Sequence, residues 1–164
     1  MRFSRMRDVL TVSMAAASVC LMVYTAAVSG VFRRSDRIRP EIKEGASLGG
    51  IVLTSLDGRE VGLPNQGTCL VAFLNAGCGA CQREVSVLND AVQSGDYCSV
   101  FAVFFDQPQS VKNFVSSYSP RFTCLVDRGG AAWNRLNITG FPQTVELRDG
   151  VAVKVWAGLQ KSFH

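Results

Sequence analysis

The chain has 164 residues, of which 48% are apolar, which is enough for one folded domain and an additional segment. Its net charge of +4 is a local excess, because residues 1–39 contain seven arginines and two aspartates while residues 40–164 are slightly acidic. The part of the chain that is expected to fold therefore lacks the basic cluster of a nucleic-acid-binding protein, and we predict no nucleic-acid partner.

Residues 9–32 form a run of 24 residues without a charge, which is long enough to cross a bilayer as one helix. We predict that residues 1–32 are a signal anchor with one apolar helix and that residues 33–47 are a polar linker. The moderate hydrophobicity of the run and its small residues near position 27 keep a cleaved signal peptide as the alternative. Three arginines precede the run and four follow it, which slightly favours a cytoplasmic position for the folded domain.

The first elements predicted after the linker are strands. Residues 50–63 contain the turn dipeptide Asp57-Gly58 between two short strands, which predicts a hairpin. The continuous apolar runs of residues 69–75 and 99–106 are typical of strands that are buried on both faces.

A helix is predicted after each of these buried strands, from apolar residues that recur every three or four positions. A short strand over 121–127, a short helix over 129–138 and a hairpin about Asp149-Gly150 complete the pattern. Because a crossover helix joins them, the two buried strands should lie parallel and adjacent. The first helix stripe comprises Cys81, Val85, Leu88 and Val92, and the second comprises Val111, Phe114, Val115 and Tyr118.

Cys78 and Cys81 are separated by two residues and lie at the start of the first predicted helix. The free backbone N–H groups and the dipole of that helix favour the nucleophilic thiolate of Cys78, while Cys81 lies one turn on. This spacing predicts a redox-active Cys78–Cys81 disulfide, with Cys78 attacking and Cys81 resolving. A metal site is disfavoured because His164 is the sole histidine and there is no second cysteine pair, so we predict no metal and no cofactor. Two inert core cysteines are the remaining interpretation.

Residues 48–158 resemble the thioredoxin fold, in particular the membrane-tethered thiol–disulfide oxidoreductases of the TlpA/ResA-like group. The resemblance implies a three-layer α/β fold over residues 48–164, with a mixed central sheet, an N-terminal β-hairpin and a central insert. This chain departs from the family in that we expect no full C-terminal helix. The segments that carry it, in order, are LTSLDGREVGL, CLVAFLNAGCGACQREVSVLN, FAVFFDQPQSVKNFV, RFTCLVDRGGAAWNRLNITGFPQT and VELRDGVAVKVWAG.

The resemblance also implies a cis-proline loop at Gly140, Phe141 and Pro142. This loop would pack against the two cysteines and offer the backbone of Phe141 to a substrate peptide. The Phe141 side chain is expected either to line the substrate groove or to lie in the core. An ordinary loop proline is the alternative for Pro142.

Three departures from the family pattern concern the surroundings of the cysteines. Gly77 replaces a tryptophan before the first cysteine, and the dipeptide Gly79-Ala80 lacks the usual proline. Ala72 stands where many members bury a carboxylate as proton acceptor, which leaves water or Glu84 to deprotonate Cys81. Because the dipeptide and the neighbouring residues tune a CxxC couple, the exchange rate and the redox potential of the Cys78–Cys81 pair do not carry over from the family.

The other cysteines do not share this spacing. Cys69 and Cys98 lie at the amino ends of the two parallel strands, which makes Cys69–Cys98 a candidate structural disulfide in an oxidising compartment. Cys98 with Cys124 is the competing pair, and free buried cysteines are the alternative. Cys20 lies in the apolar run, where we expect it to be inert.

The apolar run, the linker and the order of the motifs together indicate a membrane-tethered, extracytoplasmic thiol–disulfide exchange protein on the periplasmic or outer face. The arginine count favours the other orientation by one residue only, which a signal sequence would override. We expect it to reduce disulfides of a partner protein and to receive electrons from a membrane or soluble redox donor. After signal cleavage it would instead be secreted or periplasmic. A degenerate thioredoxin fold that serves as an accessory or binding subunit is the alternative from another class. A peroxiredoxin is disfavoured, because the stretch before Cys78 lacks the proline and threonine of the Pro-x-x-x-Thr-x-x-Cys arrangement.

Overall fold

The computed structural model describes residues 42–138 and 140–163, and the apolar run of residues 9–32 lies outside them. None of the helices in this described part is long and apolar enough to cross a membrane. The strands are β1 (Val52–Ser55), β2 (Glu60–Gly62), β3 (Thr68–Leu74), β4 (Ser99–Phe104), β5 (Thr123–Val126), β6 (Gln143–Arg148) and β7 (Val151–Ala157), and the helices are α1 (Gly79–Ser94), α2 (Pro108–Tyr118) and α3 (Ala131–Leu136).

One mixed sheet contains all of these strands in the order β2-β1-β5-β4-β3-β6-β7. β3 and β4 are parallel and adjacent, with Cys69 opposite Ser99 and Leu74 opposite Phe104, as the crossover through α1 predicts. β5 extends the parallel group beside β4, and the remaining pairs are antiparallel. The carboxyl ends of β3, β4 and β5 therefore meet at one edge of the sheet, where reactive groups of such sheets are found.

Helices cover both faces of the sheet, which gives the three predicted layers. Because strand side chains alternate, Leu70 and Leu74 of β3 face the layer that α1 and α2 form, while Val71 and Phe73 face the layer that contains α3. The side chains of β3 from Cys69 to Leu74 are at most 1% exposed. Burial of each large apolar side chain in this strand stabilises the fold by about 1.5–3 kcal/mol.

The predicted helix stripes differ from the observed ones near the helix ends. Val92 in the last turn of α1 is 36% exposed, and Tyr118 at the end of α2 is 39% exposed. Glu84, by contrast, has no exposed surface, although its side chain is ionisable. Periodicity shows which residues share a helix face, but not how far along the helix that face is covered.

Residues 42–47, the end of the predicted linker, lie against β7. The N–H of Gly45 donates to the carbonyl of Ala152 at 2.7 Å, and the N–H of Ala152 donates to the carbonyl of Ala46 at 2.9 Å. Ile42 is only 3% exposed and belongs to the core. These residues are therefore packed on the sheet.

Candidate active site

The two cysteines of the CxxC motif lie where β3 passes into α1. Cys78 is the N-cap of the helix, and Cys81 lies in its first turn. The backbone N–H of Cys81 donates to Sγ of Cys78 at 3.3 Å, so the helix start directs a donor at this sulfur. The Cys78 sulfur therefore lies at the amino end of α1 beside a backbone donor.

Cys78 and Cys81 differ in exposure. Cys78 is half-buried, whereas Cys81 has no exposed surface. Burial raises the pKa of the Cys81 thiol far above its usual range, and the neighbouring Cys78 sulfur and Glu84 carboxylate add to that rise. Cys78 is therefore the more accessible of the two cysteines, and Cys81 keeps its proton in the reduced protein.

Asp106, which follows β4, fixes the turn that precedes Cys78. Its carboxylate accepts a hydrogen bond from the N–H of Ala76 at 3.0 Å and another from Nδ2 of Asn75 at 3.2 Å. Oδ1 of Asn75 accepts from the N–H of Gly77 at 3.0 Å, and its carbonyl accepts from the N–H of Cys78 at 3.1 Å. Asp106 is not among the predicted site residues, although its position after the strand adjacent to β3 is a signal of this contact.

Gly77, where the resemblance would place a tryptophan, borders an open groove of about 450 Å³ beside Asp106, Ser110 and Asn113. A Cβ atom at this position would meet Oδ1 of Asn75 at 3.5 Å, which is an ordinary van der Waals distance. The missing side chain therefore leaves one flank of the turn accessible.

The predicted cis-proline loop lies at the same edge of the sheet. The Phe141–Pro142 peptide bond is cis. Pro142 is buried, while Gly140 and Phe141 are half-buried. Phe141 packs against the apolar cluster that contains Cys81 and that Cys78 also contacts. Phe141 and the two cysteines thus share one apolar cluster.

Phe141 also contacts an aromatic cluster that the sequence did not reveal. Its ring centroid lies 5.8 Å from that of Phe105 and 5.6 Å from that of Trp133, and those two rings are 4.5 Å apart. Asp127 holds Trp133 in place by accepting its backbone N–H at 3.0 Å. The three rings come from the end of β4, from α3 and from the cis-proline loop, and each is half-buried.

Glu84 lies one turn after Cys81 in α1. Burial raises the pKa of Glu84 to about 7, and the N–H of Gln160 and the nearby Thr144 side chain lower it by less. Oε2 of Glu84 accepts the Gln160 N–H at 2.9 Å. Its Oε1 and the Thr144 hydroxyl are both buried and neither has a partner at hydrogen-bond distance among the described residues, although the hydroxyl is close enough to lower the Glu84 pKa. Ala72 lies in the apolar cluster with Cys81, and the Glu84 carboxylate contributes to the raised pKa of the Cys81 thiol.

All five cysteines within the described residues are free thiols, so Cys78 and Cys81 are seen in their reduced form and a Cys78–Cys81 disulfide stays a prediction. Burial raises the pKa of Cys69 to about 11, with an added contribution from the exposed Cys98, and raises that of Cys124 to about 12. Cys69 lies opposite Ser99, the residue next to Cys98, which places the two cysteines at the same end of neighbouring strands. The Cys69–Cys98 disulfide stays a prediction. In the described part of the chain no three His, Cys, Asp or Glu residues are grouped as metal ligands.

Comparison with known proteins gives a family and a fold. The AhpC/TSA family matches residues 50–154, and no curated protein sequence matches the chain significantly. A putative thiol:disulfide interchange protein DsbE from Chlorobium tepidum is 20% identical with a TM-score of 0.64, over 73% of this chain and 89% of that one. A secreted Mycobacterium tuberculosis disulfide oxidoreductase homologous to E. coli DsbE is 20% identical with a TM-score of 0.60, over 70% and 88%. StoA from Bacillus subtilis is 19% identical with a TM-score of 0.59, over 67% and 88%. These likenesses confirm the predicted fold class, a mixed α/β thioredoxin-like fold.

Proposed function

The chain belongs to the AhpC/TSA family, and we propose that it is a thiol–disulfide oxidoreductase that reduces a disulfide in another protein. The observation that carries this proposal is the contrast between the accessible Cys78 sulfur at a helix start and the buried Cys81 thiol one turn on. The similar structures from Chlorobium tepidum and Mycobacterium tuberculosis are described as disulfide interchange and oxidoreductase proteins, which supports the same chemistry.

In the proposed reaction, the Cys78 thiolate attacks one sulfur of the substrate disulfide. The substrate S–S bond breaks, its other sulfur leaves as a thiolate that takes up a proton, and a mixed disulfide forms on Cys78. Cys81 then loses its proton and attacks the Cys78 sulfur, which releases the second substrate thiol and leaves a Cys78–Cys81 disulfide. Two electrons have moved to the substrate, and a membrane or soluble dithiol donor restores the reduced pair by the reverse exchange.

Glu84 is the proposed proton acceptor for Cys81. It is buried beside that thiol, and its Oε1 lacks a partner within the described residues. A carboxylate with a pKa of about 7 is partly ionised at neutral pH, so it can both take up and return a proton. Water is the alternative acceptor for the Cys81 proton.

Gly140, Phe141 and Pro142 are proposed to bind the substrate peptide beside Cys78, with an apolar substrate side chain against Phe141 and Trp133. The half-buried rings and their position at the cysteine edge of the sheet support this assignment. Trp133→Ala should therefore raise KM for peptides with an apolar residue next to the cysteine more than for peptides with a polar one. Equal KM changes for both peptides would contradict it.

We further propose that the folded domain is extracytoplasmic and tethered through residues 9–32, as in the TlpA/ResA-like group. The charge-free run and its flanking arginines support a membrane segment, and one similar structure is that of a secreted protein. A reporter enzyme that is active only in the periplasm, fused after residue 45, should be active. An inactive reporter would place the domain in the cytoplasm.

Reduction of insulin in the presence of dithiothreitol tests the proposed activity. The wild-type protein should accelerate insulin reduction, and Cys78→Ser should abolish the acceleration. Cys98→Ser is the matched control, because it removes the other accessible cysteine among the described residues, which lies at the opposite end of the parallel strands. An accessory subunit without activity predicts no Cys78-dependent turnover, and that result would overturn the proposal.

Peroxide reduction is not favoured by the residues before Cys78. Val71 and Asn75 occupy the positions where the peroxiredoxin arrangement has proline and threonine. We therefore expect no Cys78-dependent consumption of hydrogen peroxide. Consumption that Cys78→Ser abolishes would reverse this choice.

A further inference from the structure

The chain after β7 contacts two parts of the candidate site. We refer to residues 158–163 as the C-terminal segment. Gly158 has a φ of +78°, a conformation that suits glycine, and its N–H donates to the carbonyl of Pro142 at 2.8 Å. Two residues later, the N–H of Gln160 donates to Oε2 of Glu84 at 2.9 Å. Two backbone amides of one segment thus bind the cis-proline loop and the buried carboxylate.

Further contacts hold the C-terminal segment in this position. Phe163 is only 4% exposed and packs edge-on against Trp156, with 5.2 Å between the ring centroids. The hydroxyl of Tyr97 donates to the carbonyl of Phe163 at 3.1 Å. The side-chain amide of Gln160 donates to the carbonyls of Ala157 and Gly158 at 3.2 and 2.7 Å. The Gln160 N–H is therefore oriented before any reaction takes place.

Groups from three elements interact with the Glu84 carboxylate. Cys81 of α1 interacts with it electrostatically, the Thr144 side chain of β6 lies near it, and the Gln160 N–H of the C-terminal segment donates a hydrogen bond to it. Neither of the two ion pairs in the described part of the chain includes Glu84. Oε2 is bound to the Gln160 amide, and Oε1 has no partner at hydrogen-bond distance among the described residues, with the Thr144 hydroxyl as the nearby donor that lowers the Glu84 pKa. Oε1 is therefore the oxygen that can exchange a proton.

We propose that the backbone amide of Gln160 is a positioning group, which holds Oε2 of Glu84 so that Oε1 can accept the Cys81 proton. This inference rests on the proposed function, in which Cys81 must deprotonate to resolve the mixed disulfide. The proton moves from the Cys81 sulfur to Oε1, and the electron pair left on that sulfur forms the bond to Cys78 as the Cys78–substrate bond breaks. The C-terminal segment is then part of the redox site.

The test compares Gln160→Pro with Gln160→Ala. Both variants lose the glutamine side chain, but only Gln160→Pro loses the backbone N–H. The titration of Glu84 is followed by ¹³C NMR of protein labelled at the glutamate carboxyl carbons, and Glu84→Gln identifies the signal. The midpoint should be higher in Gln160→Pro than in Gln160→Ala, by on the order of half a unit to one unit, because the charged carboxylate has lost a donor. Equal midpoints in the two variants would overturn the proposal. A lower midpoint in Gln160→Pro would also overturn it and would mean that the C-terminal segment acts by excluding water from Glu84.

Circular dichroism and Tm show whether Gln160→Pro is folded. If it is not, an amide-to-ester substitution at position 160 removes the same N–H without adding a ring, and the same shift is expected. A second measurement is the release of a mixed disulfide from Cys78. In the wild-type background, Gln160→Pro should release the mixed disulfide more slowly than Gln160→Ala. In a Glu84→Gln background the two variants should release it at the same rate, and a difference that persists there would show that Gln160 does not act through Glu84. The titration needs no turnover, so the positioning role of Gln160 can be contradicted while the proposed activity stands. The proposed activity can likewise fail while the titration gives the expected shift.

Discussion

Glu84 and Cys81 lie one helical turn apart in α1, and neither side chain has any exposed surface. The Glu84 carboxylate contributes to the raised pKa of the Cys81 thiol, so the ionisation of each group disfavours that of the other. Only one of the two groups is readily ionised at a time, which is the relation that a proton acceptor needs with the thiol it deprotonates.

The pH dependence of stability should reveal the buried Glu84. Its pKa rises from 4.5 to about 7 on folding, so between these values the folded protein keeps a proton that the unfolded chain has lost. The contribution of Glu84 to the free energy of unfolding is therefore largest below about pH 4.5, falls as the pH rises towards 7 and is constant above pH 7. Glu84→Gln should remove this slope and gain up to about 3 kcal/mol of unfolding free energy relative to wild type above pH 7.

Urea unfolding at a series of pH values measures this slope. Glu44→Gln is the control, because Glu44 is exposed, and it should keep the wild-type slope. A Glu84→Gln protein with an unchanged slope would show that Glu84 titrates normally.

The accessibility of the thiols predicts their reaction with iodoacetamide. In the reduced native protein at neutral pH, Cys78 and Cys98 should be labelled quickly, because both have exposed surface. Cys69, Cys81 and Cys124 should be protected, because they are buried and their pKa values are raised. Mass mapping of the labelled peptides gives the result, and rapid labelling of Cys124 would contradict it.

Mass mapping without reductant, on protein from its native compartment, tests the disulfides. We expect a Cys78–Cys81 bridge. A bridge between Cys69 and Cys98 would establish the proposed structural disulfide. A stable bridge from Cys78 to Cys69, Cys98 or Cys124 would contradict the roles assigned to the CxxC pair.

Asp106→Ala should slow the reaction of Cys78 with disulfides. The substitution removes the hydrogen bonds to Ala76 and Asn75, and so frees the turn that positions the nucleophile. We expect a loss of roughly tenfold in the second-order rate constant with a disulfide reagent, since small misplacements of a reacting group are this costly. The matched control is Asp96→Ala, an exposed acidic residue after α1. Equal rates for the two variants would mean that Asp106 does not position Cys78.

The strand and helix order could be predicted from the sequence because the strongest patterns are local. The apolar run of β3 and the helical period that follows Cys81 indicate a parallel crossover without knowledge of any distant residue. The burial of Glu84 could not be predicted in this way, because the residue that binds it, Gln160, is 76 positions away. The contact of Trp133 with Phe105 likewise joins two elements that are adjacent only after folding. The contacts that could not be predicted are therefore the long-range ones, and these determine the burial and the electrostatic surroundings of the two cysteines.

Trapping of a mixed disulfide tests the central assignment most directly. Cys81→Ser, incubated with a protein that contains an accessible disulfide, should accumulate a covalent adduct on Cys78 that reductant releases, because no resolving thiol remains. Wild type should accumulate little adduct and Cys78→Ser none, as judged by non-reducing electrophoresis and mass mapping. An adduct on Cys81 in Cys78→Ser, or the absence of any adduct in Cys81→Ser, would contradict the account.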